Sequence, residues 1–78
     1  MAVEAFVLIR TETGHAFVVA DDVSEIEGVD ASDVVTGPYD VIAKVQQATL
    51  DDVARLVVSK IHAVDGITRT YTCAIVKL

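Results

Sequence analysis

Residues Val35 to Val45, VTGPYDVIAKV, set a turn between two apolar runs and place an acid at the start of the second. Gly37 permits backbone angles that other residues avoid and Pro38 fixes one, so a turn accounts for both. Upstream, Val29 to Val35 (VDASDVV) alternates, with Val29, Ala31 and Val35 on one parity and Asp30 and Ser32 on the other. That is the pattern of a half-exposed strand. Downstream, Tyr39 to Gln46 (YDVIAKVQ) reads as a second strand, and the short Gly-containing link predicts an antiparallel hairpin over Val29–Gln46.

Ala5 to Thr11 (AFVLIRT) is β-branched and apolar on both parities, with Ala5, Val7 and Ile9 pointing one way and Phe6 and Leu8 the other. Such a run suits a strand covered on both faces. His15 to Ile26 carries Ala16, Val19, Ala20, Val23 and Ile26 at helical spacing and ends near Gly28, a residue that favours a helix C-terminus. A second helix opens at Thr49, a good N-cap, with Asp51 and Asp52 in the first turn where the helix dipole favours them. Leu50, Val53, Leu56, Val57, Ile61 and Val64 form its apolar stripe, Lys60 and His62 lie near its C-terminal end, and Gly66 stops it. Ile67 to Leu78 (ITRTYTCAIVKL) is the final strand.

The halves echo each other: Val7–Val35 and Asp40–Val76 both read strand, helix, Gly, strand. The order β-α-β-β-α-β with one hand for each crossover predicts an α+β, ferredoxin-like, four-stranded antiparallel sheet with both helices on one face. Its other face, with Leu8 or Val7, Ala43 or Ile42, and Ala74, is left bare in a monomer. A second copy is expected to cover it.

Composition supports that expectation. The chain has 78 residues, of which 53% are hydrophobic with no Trp. A domain this short buries only ~60% of its unfolded surface, so it holds more apolar material than one thin core conceals. Twelve acids against six Lys plus Arg give a net charge of −6. No basic stripe offsets it, which argues against direct nucleic-acid binding and against an anionic-membrane patch. The N-terminus lacks the pattern of a signal peptide and no apolar run reaches the ~20 residues of a membrane span. A soluble cytoplasmic chain is expected.

Catalytic patterns are absent: no phosphate-binding Gly loop, no HExxH, no CxxC and no Ser with an evident His and acid. Cys73 is expected to be a small buried hydrophobe in its strand, and His15 and His62 to be solvated. Asp21–Asp22 and Asp51–Asp52 are adjacent on helices and so point about 100° apart, not at one site. No metal-ligand spacing and no cofactor motif is present. Thr68, Thr70 and Thr72 alternate on the last strand, either as good strand formers or as a hydroxyl row lining a pocket. Asp40 is less well explained, because turn geometry does not require it. A free amino acid needs a carboxylate for its ammonium and N–H or hydroxyl donors for its carboxylate; Asp40, the turn's N–H groups and the threonines offer that set.

VTGPYDVIAKV followed by I-x-x-V-x-G-I-x-x-T-x-T (Ile61, Val64, Gly66, Ile67, Thr70, Thr72) resembles the effector domain of the Lrp/AsnC family. The resemblance runs from the first strand to Val76. It implies a domain that dimerises sheet to sheet, with dimers joined into rings, commonly octamers, and amino-acid effectors held between dimers. Carried over residue by residue, it makes Gly37, Tyr39, Asp40, Thr70 and Thr72 the ligand-binding candidates, with Thr36, Pro38 and Thr68 as neighbours. Family regulators bear an N-terminal helix-turn-helix, whereas this sequence opens at Met1 into the first strand. The expectation is a stand-alone effector module, not an enzyme, with no cofactor. Such a module would influence transcription or amino-acid metabolism indirectly, through full-length Lrp/AsnC regulators. The alternative is a small dimeric α+β barrel enzyme, a cofactor-free monooxygenase or isomerase, for which Arg69 and Tyr71 are the only candidate groups.

Overall fold

The computed structural model describes residues 2–78 and has the predicted element order. Strands β1 (Val3–Thr11), β2 (Val29–Val34), β3 (Val41–Gln47) and β4 (Ile67–Ala74) alternate with helices α1 (Ala16–Ser24) and α2 (Leu50–Leu56) as βαββαβ. The strands lie in the order β2-β3-β1-β4, every neighbouring pair antiparallel. Each β-α-β unit therefore skips over one strand, which interleaves the two halves. This is the ferredoxin-like sheet the sequence implies.

Odd-numbered residues of the two central strands face the helices. Ala5, Val7 and Ile9 of β1 and Val41, Ala43 and Val45 of β3 are wholly buried against Val19, Val23, Val53 and Ile61. Their neighbours Phe6, Leu8 and Ile42 point to the opposite, open face, so β1 is covered on one side only. The bare face is thus built on Leu8 and Ile42, not on Val7 and Ala43. Ala74 pairs with Ala5 and so stands on the helix side, at the β4 edge.

The β2 parity differs from the expected one. A register shift between Val29 and Ala31 lets Val29, Ser32 and Val34 turn inward while Ala31 faces out. A bulge of this kind inserts one residue and resets the alternation beyond it. Ser32 is accommodated because its hydroxyl donates to the Ala20 carbonyl at 2.8 Å. The hairpin connection spans residues 35–40, closed by the Val35 N–H donating to the Asp40 carbonyl at 2.9 Å. Strand β3 consequently begins at Val41, leaving Tyr39 and Asp40 in the turn.

Thr49 caps α2, its hydroxyl accepting from the Asp52 N–H at 3.1 Å. The helix does not run on to Gly66 as one α-helix. It passes at Val57–Ile61 into a π turn, closed by the His62 N–H donating to the Val57 carbonyl at 2.9 Å. Val53, Leu56, Val57 and Ile61 are buried as the stripe requires, but Leu50 is exposed. Gly66 ends the segment with φ 95°, and a side chain there would crowd Val19 and His15. Among the described residues no helix is long and apolar enough to cross a membrane.

Candidate functional site

Three depressions run in sequence along the start and edge of β4. The first, of about 650 Å³, is lined by Arg10, Glu12, Asp40, Thr68 and Arg69, with the residues of the β1–α1 loop. A smaller hollow of about 260 Å³ shares Thr68 and Arg69 with it and adds His62, Ile67 and Thr70. The third, about 650 Å³ and mostly apolar, shares His62 and Thr70 and is walled by Thr72, Ala74, Val57 and Val58. The first and third fall within the range usual for small-molecule sites.

Asp40 has a geometric role that its sequence position concealed. Its own N–H donates to the Ile9 carbonyl at 2.9 Å, and its Oδ2 accepts from the Thr11 N–H at 2.8 Å. The side chain thereby continues the β1–β3 ladder where the turn leaves it. Oδ1 accepts no hydrogen bond among the described residues.

The candidates are not gathered into one cavity. Asp40 stands in the first cleft, whereas Thr70 and Thr72 stand in the third, joined to it through Thr68, Arg69 and Thr70. Tyr39 packs edge-on against Tyr71 with ring centroids 5.8 Å apart. Gly37 adopts φ 125° in open space at the turn and lines none of these three depressions. Thr70 and Thr72 keep the expected alternation opposite Ile9 and Val7. Thr68 leaves it, because the register shifts between Arg10 and Thr11; its hydroxyl donates to the Arg10 carbonyl at 3.2 Å.

Sequence reasoning did not place several neighbours beside these candidates. His62 is exposed, as expected, yet its Nε2 lies 2.8 Å from the Thr70 hydroxyl. The π turn that brings it there has no simple sequence signal. Arg10, Glu12 and Arg69 join Asp40 only through tertiary pairing, and their spacing in the chain carries no hint of it. Arg69 donates to the Tyr71 hydroxyl at 3.0 Å, with its guanidinium 5.9 Å from that ring's centroid. Cys73, expected to be buried, is exposed opposite Phe6 on the open face. The alternation there puts an apolar strand residue on a side the helices do not cover.

Residues 4–77 match the model of the Lrp/AsnC ligand binding domain. The chain belongs to that family. An uncharacterised HTH-type transcriptional regulator of Pyrococcus furiosus is 32% identical over 71 residues, 87% of this chain and 47% of that protein. The chain spans about half the length of the curated relatives it matches. The crystal structure of TTHA0845 from Thermus thermophilus agrees with a TM-score of 0.90 at 29% identity, covering 97% of this chain and 95% of that one. The Neisseria meningitidis transcriptional regulator NMB0573, in complex with L-Met, agrees with a TM-score of 0.83 at 16% identity. The match covers 96% of this chain and 50% of that one, and is a likeness of fold.

Proposed function

We propose that this chain is a non-enzymatic module that binds an amino-acid effector along the start of β4 and assembles with its own copies through the open sheet face. The observation that carries the binding half is the continuity of the depressions from Asp40 to Thr72. Oδ1 of Asp40 is available to an ammonium group and the Thr72 hydroxyl to polar atoms further along, while the Thr68 and Thr70 hydroxyls, already engaged by the Arg10 carbonyl and His62, keep lone pairs that can accept. Gly37 shapes the turn and Tyr39, packed on Tyr71, holds it against the sheet, so both act by positioning Asp40. The complex of L-Met with a regulator of the same fold supports an amino acid as the ligand class.

The assembly half rests on Phe6, Leu8, Ile42 and Tyr71, apolar side chains that stand together on the face the helices leave open, with Phe6 and Tyr71 exposed. Closed rings of such dimers, octamers among them, require a second contact between dimers repeated around an axis. A net charge of −6 disfavours contact with DNA phosphates. Any effect on transcription then passes through full-length Lrp/AsnC regulators in the cytoplasm.

A thermal-shift panel of the twenty amino acids at millimolar concentration tests the binding half. A ligand at 100 times its dissociation constant stabilises the fold by ~2.7 kcal/mol, several degrees for a small domain. A selective shift lost in Asp40→Asn is expected, since that variant removes the charge and keeps an oxygen for the Thr11 N–H. A flat panel, or a shift untouched by Asp40→Asn, contradicts the assignment.

A further inference from the structure

Arg10 and Arg69 are direct cross-strand partners at the end of β1 and β4. Like charges placed opposite each other on a sheet oppose its pairing, and neighbouring acids usually relieve them. Here they do not. Among the described residues the ion pairs are Lys44–Glu4 and Lys77–Glu4, both at the far end of the sheet. Asp40 and Glu12 share the cleft with the arginines but stand beyond ion-pairing distance, and Asp40 Oδ2 is engaged by the Thr11 N–H. A chain of net charge −6 thus keeps two of its six cations side by side and unpaired in one cleft.

Two features of the backbone and its neighbours aim this pair. The register shift just beyond Arg10 is a bulge, and bulges redirect adjacent side chains next to functional sites. The Tyr71 hydroxyl and ring take one guanidinium N–H and one face of Arg69, which restricts its rotamers and leaves its other donors free. A guanidinium offers its remaining N–H groups as a planar fork, the geometry that a carboxylate accepts.

We propose that Arg10 and Arg69 together form the receptor for the carboxylate of the effector, opposite the Asp40 Oδ1 that takes its ammonium. The inference rests on the effector-binding reading and adds the head-group specificity: a free α-carboxylate is required, and amides or amines are rejected. The pair lies at the end of the open face, next in register beyond Leu8 and Tyr71.

The test uses the amino acid that stabilises the protein most, its carboxamide, and sodium acetate as a minimal probe. Expected results are at least tenfold weaker binding of the amino acid by Arg10→Gln, partial recovery in Arg10→Lys, and no binding of the carboxamide. Acetate should also move the Arg10 and Arg69 Nε–H signals together in nitrogen-edited NMR spectra. Equal binding of amino acid and carboxamide, or an Arg10→Gln affinity within twofold of the parent, overturns the receptor while leaving effector binding intact. If no amino acid binds, the effector reading fails and the acetate titration decides: coupled shifts keep a carboxylate receptor, and unmoved signals end it. A drop in sedimenting mass of Arg10→Gln/Arg69→Gln without a change in acetate response would move the pair to the subunit contact, against the proposal.

Discussion

The two faces of the sheet are made by the same strands, yet they end in opposite states. On the helix side, Ala5, Val7, Ile9, Val41, Ala43 and Val45 lose all contact with solvent. On the other side, Phe6 and Tyr71 keep 39% and 44% of their surface, with Leu8 and Ile42 half-covered between them. The difference does not come from the apolar content of the strands, since β1 is apolar on both parities. It comes from topology, because both crossovers pass over the same side. One face is finished by the chain itself, and the other stays open.

That contrast can be broken from either side. The largest effect belongs to the closed face: Ile9→Ala leaves a cavity among side chains with nowhere to collapse and should cost about 2–5 kcal/mol. Urea unfolding measures it, and a loss below ~1 kcal/mol would mean that the core is looser than its burial implies. Next comes the open face, where Leu8→Glu should leave the circular dichroism of the fold in place but lower the sedimenting mass. An unchanged mass would remove this face from the assembly; an unfolded chain would make Leu8 part of the core.

The smallest effect lies at the margin of the open face. The Glu4 carboxyl is held below its ordinary value by the Lys77 hydrogen bond and then by Lys44. A carboxylate lowered in the folded state stabilises it above the unfolded value of 4.5, and that contribution fades as pH falls through the lowered value. The urea midpoints of wild type and Glu4→Gln should therefore differ slightly near neutrality and converge in acid. A gap that persists at the acid end would show that Glu4 acts by packing instead of charge.

The fold was legible because its signals are local and agree with one another. The strand runs, the Thr49 cap and the glycines all point to βαββαβ, and the repeat fixes how the halves interleave. Parity near bulges was not legible. Val29–Ala31 and Arg10–Thr11 each shift register, and no residue type there announces it. The same limit governs the site. Thr70 and Thr72 follow from alternation, while Thr68 leaves the row and Asp40 acquires a ladder bond that only β1 can supply. Arg10 and Arg69 stand far apart in sequence and meet through the β1–β4 register alone.

The central claim is that the start of β4, at the margin of the two faces, is where a small ligand sits. Hydrogen exchange by mass spectrometry, with and without a pool of the twenty amino acids at millimolar concentration, tests it most directly. The account predicts slowed exchange confined to residues 10–14, 36–40 and 67–74. Unchanged exchange throughout, or protection confined to the groove between α1 and β2 around Phe17 and Ser32, would contradict it.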